Sequence, residues 1–335
     1  MPRWLKIFLL VLVLLFAGAI ALLQTPRPLE YILAKVLQRQ IPDAAINSLH
    51  VSSYRIKDQK VFLDQLSIDF SLKGVDYMLH SDLVTVGSWR AILGNFSNEF
   101  TVKGVHLVSK DIKFSNGSAK IFFEPVSKEQ WTAHGHARFP VGSYTKQGIT
   151  ELEFDFLAKP KQFTFKDIQA NALKGKINGE FVLEYKPELA YSMDIILAGI
   201  DTTALPVQAD ISQQLKGIIN GSLKILGTAS SIDFLDAKVN APKGAFVNPY
   251  LLKLLTDYIP QSIQKKQMEA IIKSGRQVFM DRFIVNIKND KNKSLNTAFD
   301  LKSVEFNLDV NLKVDINVDG GINSLFLNFI NQYHK

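Results

Sequence analysis

The chain has 335 residues, 47% of them apolar and 21% charged, with a net charge of +7. That length supports one large domain or two modest ones with a sizeable core. The absence of cysteine excludes disulfides, thiolate zinc sites, iron–sulfur clusters and cysteine nucleophiles.

The positive charge is spread along the chain without a Lys/Arg block, which predicts a solvated lysine-rich surface. Aromatic and basic residues do not interleave, so no nucleic-acid partner is expected. Phe outnumbers Trp 23 to 3, and Phe suits the apolar face of a sheet.

Taken in chain order, the first element runs from Ile7 to Leu23, an uncharged apolar stretch. A spanning helix needs about twenty residues, with a lower limit near seventeen. Trp4 and Leu5 extend the stretch, Trp4 suits the interface, and Lys6 can snorkel to the headgroups. Arg3 and Lys6 precede the run, which predicts a cytoplasmic N-terminus and an exported remainder. Residues 1–24 are therefore expected to anchor the chain. The alternative is a cleaved signal peptide using the small residues Ala17, Ala19 and Ala21. Either reading exports the protein.

Residues 25–45 read as a short amphipathic connector helix. Leu29, Ile32, Leu33, Val36 and Leu37 fall at helical spacing, Pro26 suits a first turn, and Pro42 closes it. One apolar stripe with few cations opposite it favours packing on the domain over lying in the headgroups.

Residues 46–247 show a period of two. Leu66, Ile68, Phe70 and Leu72 alternate with polar residues. So do Leu152, Phe154 and Phe156, then Phe163 and Phe165, and the run from Trp131 to Phe139. Asn116-Gly117 and Lys186-Pro187 read as turns between strands. The pattern predicts a largely antiparallel sheet.

Residues 248–275 break it with helices. Asn248-Pro249 is an N-cap with a first-turn proline, and Leu251, Leu252, Leu254, Leu255, Tyr258 and Ile259 supply an apolar face. Pro260 interrupts, and a second helix runs from about Ser262 to Lys273 and stops at Gly275.

Residues 276–335 are expected to hold long strands. Val304, Phe306, Leu308, Val310, Leu312, Val314, Ile316 and Val318 alternate with polar residues. One strand of that length spans roughly 50 Å. The alternatives are one long curved strand or two strands with a turn hidden in the pattern. No Gly or Pro interrupts it, which favours the long strand. Its apolar face must be buried against helices, another sheet or lipid.

The segment Leu173-Lys-Gly-Lys-Ile-Asn-Gly179 returns as Leu215-Lys-Gly-Ile-Ile-Asn-Gly221, 42 residues later, with six of seven positions identical. Each copy leads into a strand pattern, which suggests repeated supersecondary units. The stretch Gly199-Ile-Asp201-Thr-Thr-Ala-Leu205, followed by Leu215 to Gly227 and by Gly244 to Leu255, resembles the C-terminal region of the AsmA-like family. The apolar anchor followed directly by P-x-x-x-x-L sequence resembles it too.

The resemblance covers roughly residues 165–260 plus the anchor and rests on degenerate, Gly-centred motifs. It implies a bacterial inner-membrane protein, single-pass, with most of the chain periplasmic. The implied fold is mainly β with a few helices, a transmembrane helix followed by an elongated, curved antiparallel sheet with an apolar inner face. The implied role is phospholipid transfer or outer-membrane biogenesis, with phospholipid acyl chains as partners. This chain is shorter than the larger members of the family, which puts a complete conduit in doubt. The eight alternating residues from Val304 to Val318 are the candidate groove, and Trp4, Lys6, Ile7 and Leu23 mark the anchor.

Chemistry is sparse. His134-Gly-His136 places two imidazoles on one strand face, but no third ligand lies near in sequence, so no metal or other cofactor is expected. There is no nucleophile elbow, phosphate loop or zinc-protease motif, and no catalytic residue is nominated, so an enzyme is not expected. Asn-X-Ser triplets at Asn95, Asn116, Asn220 and Asn292 are of a kind common by chance. The competing role is a scaffold in an envelope assembly or secretion complex, with a protein partner.

Overall fold

The computed structural model describes Arg27, Glu30, Tyr31 and Ala34, and residues 44–72, 74–87, 98–125, 130–145, 147–186, 188–204, 214–228, 231–256, 258–259, 261–289 and 294–317. The expected anchor, with Trp4, Lys6, Ile7 and Leu23, lies outside them, as does Val318. Among the described residues no helix is long and apolar enough to cross a membrane. Among the described residues the chain is mainly β, with seventeen strands paired antiparallel and two α-helices besides the helical connector residues. It divides into two compact units, residues 1–146 and 147–335.

The first unit is a meander of long strands: β1 (Ala44–Lys57), β2 (Lys60–Leu72), β3 (Val75–Val86), β4 (Asn98–Ser109), β5 (Ile112–Pro125) and β6 (Trp131–Tyr144). Each pairs with the next, antiparallel. Alternation puts one apolar side chain per strand into cross-strand rows. Tyr54, Leu63, Val84, Val102, Ala119 and Ala137 stand opposite one another in turn across all six strands. Val51, Val61, Leu63, Val84 and Val86 form the buried cluster.

Asn116-Gly117 does not turn the chain. It lies inside β5, where Asn116 takes φ 56° and the register against β4 slips on either side of Val105. An Asn in the left-handed region can bulge a strand as readily as end it. The hairpin between β1 and β2 is made instead by Asp58-Gln59, both at positive φ. The four described connector residues are helical, and Glu30 Oε1 accepts the Val51 amide of β1 at 2.8 Å and sits 3.1 Å from His50 Nδ1.

The second unit continues with β7 (Gln147–Lys159), β8 (Gln162–Ala172), β9 (Gly175–Lys186), β10 (Glu188–Asp201), β11 (Leu215–Thr228) and β12 (Ile232–Asn240). Lys186 and Glu188 face each other where β9 hands over to β10. Next comes a short ribbon of β13 (Ala245–Val247) and β14 (Val278–Met280), laid on the start of β11. Two helices, α1 (Pro249–Thr256) and α2 (Ile263–Ser274), are inserted between the strands of that ribbon. The sheet resumes with β15 (Arg282–Asn289) beside β12, then β16 (Ser294–Ser303) and β17 (Leu308–Asn317).

The helix ends follow their capping residues. Asn248 Oδ1 accepts the Tyr250 amide at 2.9 Å. Ser262 Oγ accepts the Lys265 amide at 3.2 Å, and Gly275 closes α2 at φ 65°. Leu252, Leu255, Met268 and Ile271 point into a core completed by Val247, Val278, Met280, Phe283, Leu301, Leu308 and Val310. Tyr258, expected on the apolar face, is half exposed beyond α1.

The long C-terminal strand is not observed. Residues Val304–Asn307 form a turn between β16 and β17, closed by the Asn307 amide on Val304 O at 3.2 Å. Asn307 adopts φ 49°, which asparagine tolerates, so the turn needs neither Gly nor Pro. The alternation in sequence runs through the turn and conceals it. The three strands after the β13–β14 ribbon, β15, β16 and β17, span 8, 10 and 10 residues, shorter than most of those before the helices.

Candidate functional site

The stretch that carries the family resemblance forms a clasp between the two repeat copies. Copy one, Leu173–Gly179, begins in the β8–β9 turn and runs into β9; copy two, Leu215–Gly221, lies in β11. Strands β9 and β11 flank β10 on either side. At the end of β10, Gly199 turns at φ 67° and its amide donates to Asn220 Oδ1 at 2.8 Å. Asp201 then reaches copy one: its amide donates to Leu173 O at 3.0 Å and its carboxylate takes Lys174 Nζ at 2.8 Å. Thr202, fully buried, reaches copy two: its hydroxyl donates to Gly217 O at 3.1 Å and accepts the Gly217 amide at 2.9 Å.

The Lys174 hydrogen bond, then the hydroxyl and amide of Thr203, hold the Asp201 carboxyl at a pKa of about 2, below the ordinary 3.8. Leu173 and Lys174 both sit at positive φ, an unfavourable geometry for such side chains that the clasp holds in place. These residues are structural: they set where β9, β10 and β11 meet.

The apolar face of the second unit is built from cross-strand rows. One runs Phe156, Phe165, Phe181, Met193, Ile225 and Leu235. The next runs Gly179, Ile195, Leu223, Ala237, Ile287, Thr297 and Val314. A third runs Ile177, Leu197, Gly221, Val239, Val285, Phe299 and Leu312. The helix core packs against Val239, Val285, Phe299 and Leu312 of the third row, while no side chain of the first two rows belongs to it. The Phe154 and Phe165 rings lie 5.5 Å apart, Phe165 and Phe181 6.3 Å apart, and all three are half buried.

The eight residues named for the groove fall in different surroundings. Val304 is in the turn and 67% exposed. Leu308 and Val310 are sealed into the helix core at 1% and 5% exposure, and Phe306 and Leu312 pack against it. Val314 is buried at 7% outside that core. Ile316 pairs with Leu295 in the strand register, and Val318 is outside the described residues. Two helices suffice to cover the start of β17 because the turn shortens the strand they must cover.

An open groove of this unit, about 950 Å3, lies along the other face. Its floor is a charge ladder, Asp194, Lys224, Asp236, Lys288, Asn296 and Asp315, each opposite the next. Lys288 Nζ meets Asp236 at 2.9 Å and Lys224 Nζ meets Asp194 at 3.5 Å. Beside it run Ser222, Lys238, Asn286, Ala298 and Lys313. Of the seven described residues expected to line a trough, Val314 alone touches this groove. The lining is that of a solvated sheet face, with oppositely charged neighbours that stabilise the pairing.

His134 stacks on Phe122 at 5.3 Å, and both His134 and His136 are exposed. Among the described residues no group of His, Asp or Glu could hold a metal ion. Asn220 is engaged by Gly199, Asn116 is the bulge of β5, and Asn95 and Asn292 fall outside the described residues. Sequence reasoning missed Thr202 and the rows through Phe181 and Ile195. The Phe154 and Phe165 alternation pointed toward them; nothing in the sequence ties the Thr202 hydroxyl to Gly217. No family model, no curated protein and no solved structure matches this chain.

Proposed function

We propose that this chain is a membrane-anchored, periplasmic lipid-binding protein of the bacterial envelope, acting in phospholipid transfer or outer-membrane biogenesis. The proposal includes the inner-membrane anchor at residues 7–23, kinship with the AsmA-like family, and acyl chains as the ligand. The observation that carries it is the apolar face of the second unit beyond its helices. Phe165 and Phe181 keep part of their surface exposed there, and neither belongs to the core beneath the helices. Apolar rows of that extent favour an oily neighbour over water, at about 25 cal/mol for each Å2 covered.

The ligand contact is therefore assigned to Phe165, Phe181, Met193 and Ile195, and withdrawn from Leu308 and Val310, which the helices already cover. A photo-crosslinking phenylalanine analogue placed at Phe165 in cells should capture phospholipid, and the same probe at Val310 should not. Lipid at neither site, together with no phospholipid in organic extracts of the purified chain, would refute the reading.

The scaffold reading has one observation of its own. The apolar residues at the start of β17 are satisfied by protein alone. A stoichiometric protein partner crosslinked in cells, without lipid, would favour it.

A further inference from the structure

We infer that the helical insertion docks on an anionic lipid bilayer, with the connection between α1 and α2 lying in the headgroup layer. The acyl-chain proposal concerns the sheet, and the docking does not rest on it. The connection is held from within the chain. Ile259 is buried in the helix core at 7% exposure. The Tyr258 amide donates to Leu255 O at 3.1 Å and the Ile259 amide to Thr256 O at 3.3 Å, and Ser262 then caps α2. While Ile259 is turned inward, Tyr258 before it and Ile263 after it are turned out, at 50% and 73% exposure. Ile263 is the most exposed large apolar side chain among the described residues. Tyr250, in the first turn of α1, is 57% exposed.

Single exposed apolar side chains are ordinary on a protein surface. Here three fall on one short insertion, and charge accompanies them. Residues 241–279 hold six cations against the two carboxylates Asp257 and Glu269, a net +4 out of the chain's +7. Lys265 and Lys266 lie within one turn of Ile263 on α2, and Lys253 lies one turn beyond Tyr250 on α1. Lys253 and Lys266 are exposed and Lys265 half exposed.

That combination selects a bilayer as the partner. Protein interfaces are enriched in aromatic residues but depleted in lysine. At a membrane surface the two belong together. A tyrosine ring sits at the headgroup level, an isoleucine enters the acyl boundary, and a lysine lays its stem along apolar surface while its ammonium meets phosphate. The excess of lysine makes the lipid anionic, because a zwitterionic surface offers no net attraction.

The test uses the absence of cysteine, since Gln264→Cys adds a unique thiol for an environment-sensitive dye beside an intact Ile263. The full chain is held in phosphatidylcholine nanodiscs and titrated with vesicles carrying a spin-labelled quencher lipid. The vesicles are either phosphatidylcholine alone or about two parts of it to one of phosphatidylglycerol. The dye should shift to the blue and be quenched with the anionic vesicles only, and salt near 1 M, where screening acts within about 3 Å, should reverse the response. Lys265→Gln with Lys266→Gln should raise the half-saturating lipid concentration about 30-fold, roughly fivefold for each lysine. Ile263→Ser should reduce the quenching. A dye at Val141→Cys, a sheet position 55% exposed in the first unit, should not respond. Circular dichroism checks that each variant keeps its fold. No response at position 264, an equal response to phosphatidylcholine alone, an equal response at position 141, or indifference to the lysine variant would each overturn the inference. So would a dye response to protein concentration without vesicles, the mark of a second copy on this surface.

Discussion

The most exacting prediction concerns Thr202→Val. The hydroxyl serves both backbone groups of Gly217, at 2.9 Å to the amide and 3.1 Å to the carbonyl, and the residue has no solvent exposure. Valine keeps the shape and deletes both bonds. Leaving a buried donor or acceptor unmatched costs about 1–3 kcal/mol, so two together should cost about 2–4 kcal/mol. Native-state hydrogen exchange reads this directly. The Gly217 amide should lose at least about 30-fold protection, the equivalent of about 2 kcal/mol. Thr202→Ser, which keeps the hydroxyl and loses one methyl, should retain most of it at a cost of about 1 kcal/mol. If Val and Ser variants protect Gly217 equally, the hydroxyl does not hold β10 to the second repeat copy, and the clasp described above is wrong.

Two further predictions follow from the same region and from the helices. The Asp201 carboxyl titrates lower in the folded chain, at about 2 against 3.8, so its contribution is complete above pH 4 and is lost as pH falls toward 2. Asp201→Asn should therefore cost about 1 kcal/mol at neutral pH, and the difference from wild type should vanish across that window in acid unfolding curves; the exposure of the Lys174 partner keeps the magnitude small. Gly275→Ala should destabilise the second unit by about 1–2 kcal/mol in urea melts, because φ is 65°. A new methyl there would meet no atom within 4 Å, so the cost is one of backbone geometry alone, and an unchanged melt would count against the left-handed cap.

Much of the architecture could be read from local pattern. Alternation of single side chains is a property of the strand itself, so β2, β6, β7 and β8 were visible as such. The helix pair was visible because Asn248-Pro249, Ser262 and Gly275 act on their own neighbours within one turn. The candidate face was half visible: alternation revealed that an apolar face exists at Phe154 and Phe165, but not which part the helices would occupy. That depends on where β13 and β14 hold α1 and α2, a matter of contacts far apart in sequence.

Sequence by itself determined the mainly β character, the helical interruption and the two-sided strands, because each follows from short-range periodicity and capping. Tertiary structure alone decided three things. It made Leu173-Lys174 a turn and the identical Leu215-Lys216 a strand, since Asp201 and Lys174 hold the first and the β13 pairing holds the second. It placed a turn at Val304–Asn307 inside an unbroken alternation. It buried Leu308 and Val310 beneath the helices while leaving the rows through Phe181 and Ile195 outside that core. A side-chain pattern records which face a residue prefers; what that face meets is chosen by chain segments many residues away, through packing that no local window contains.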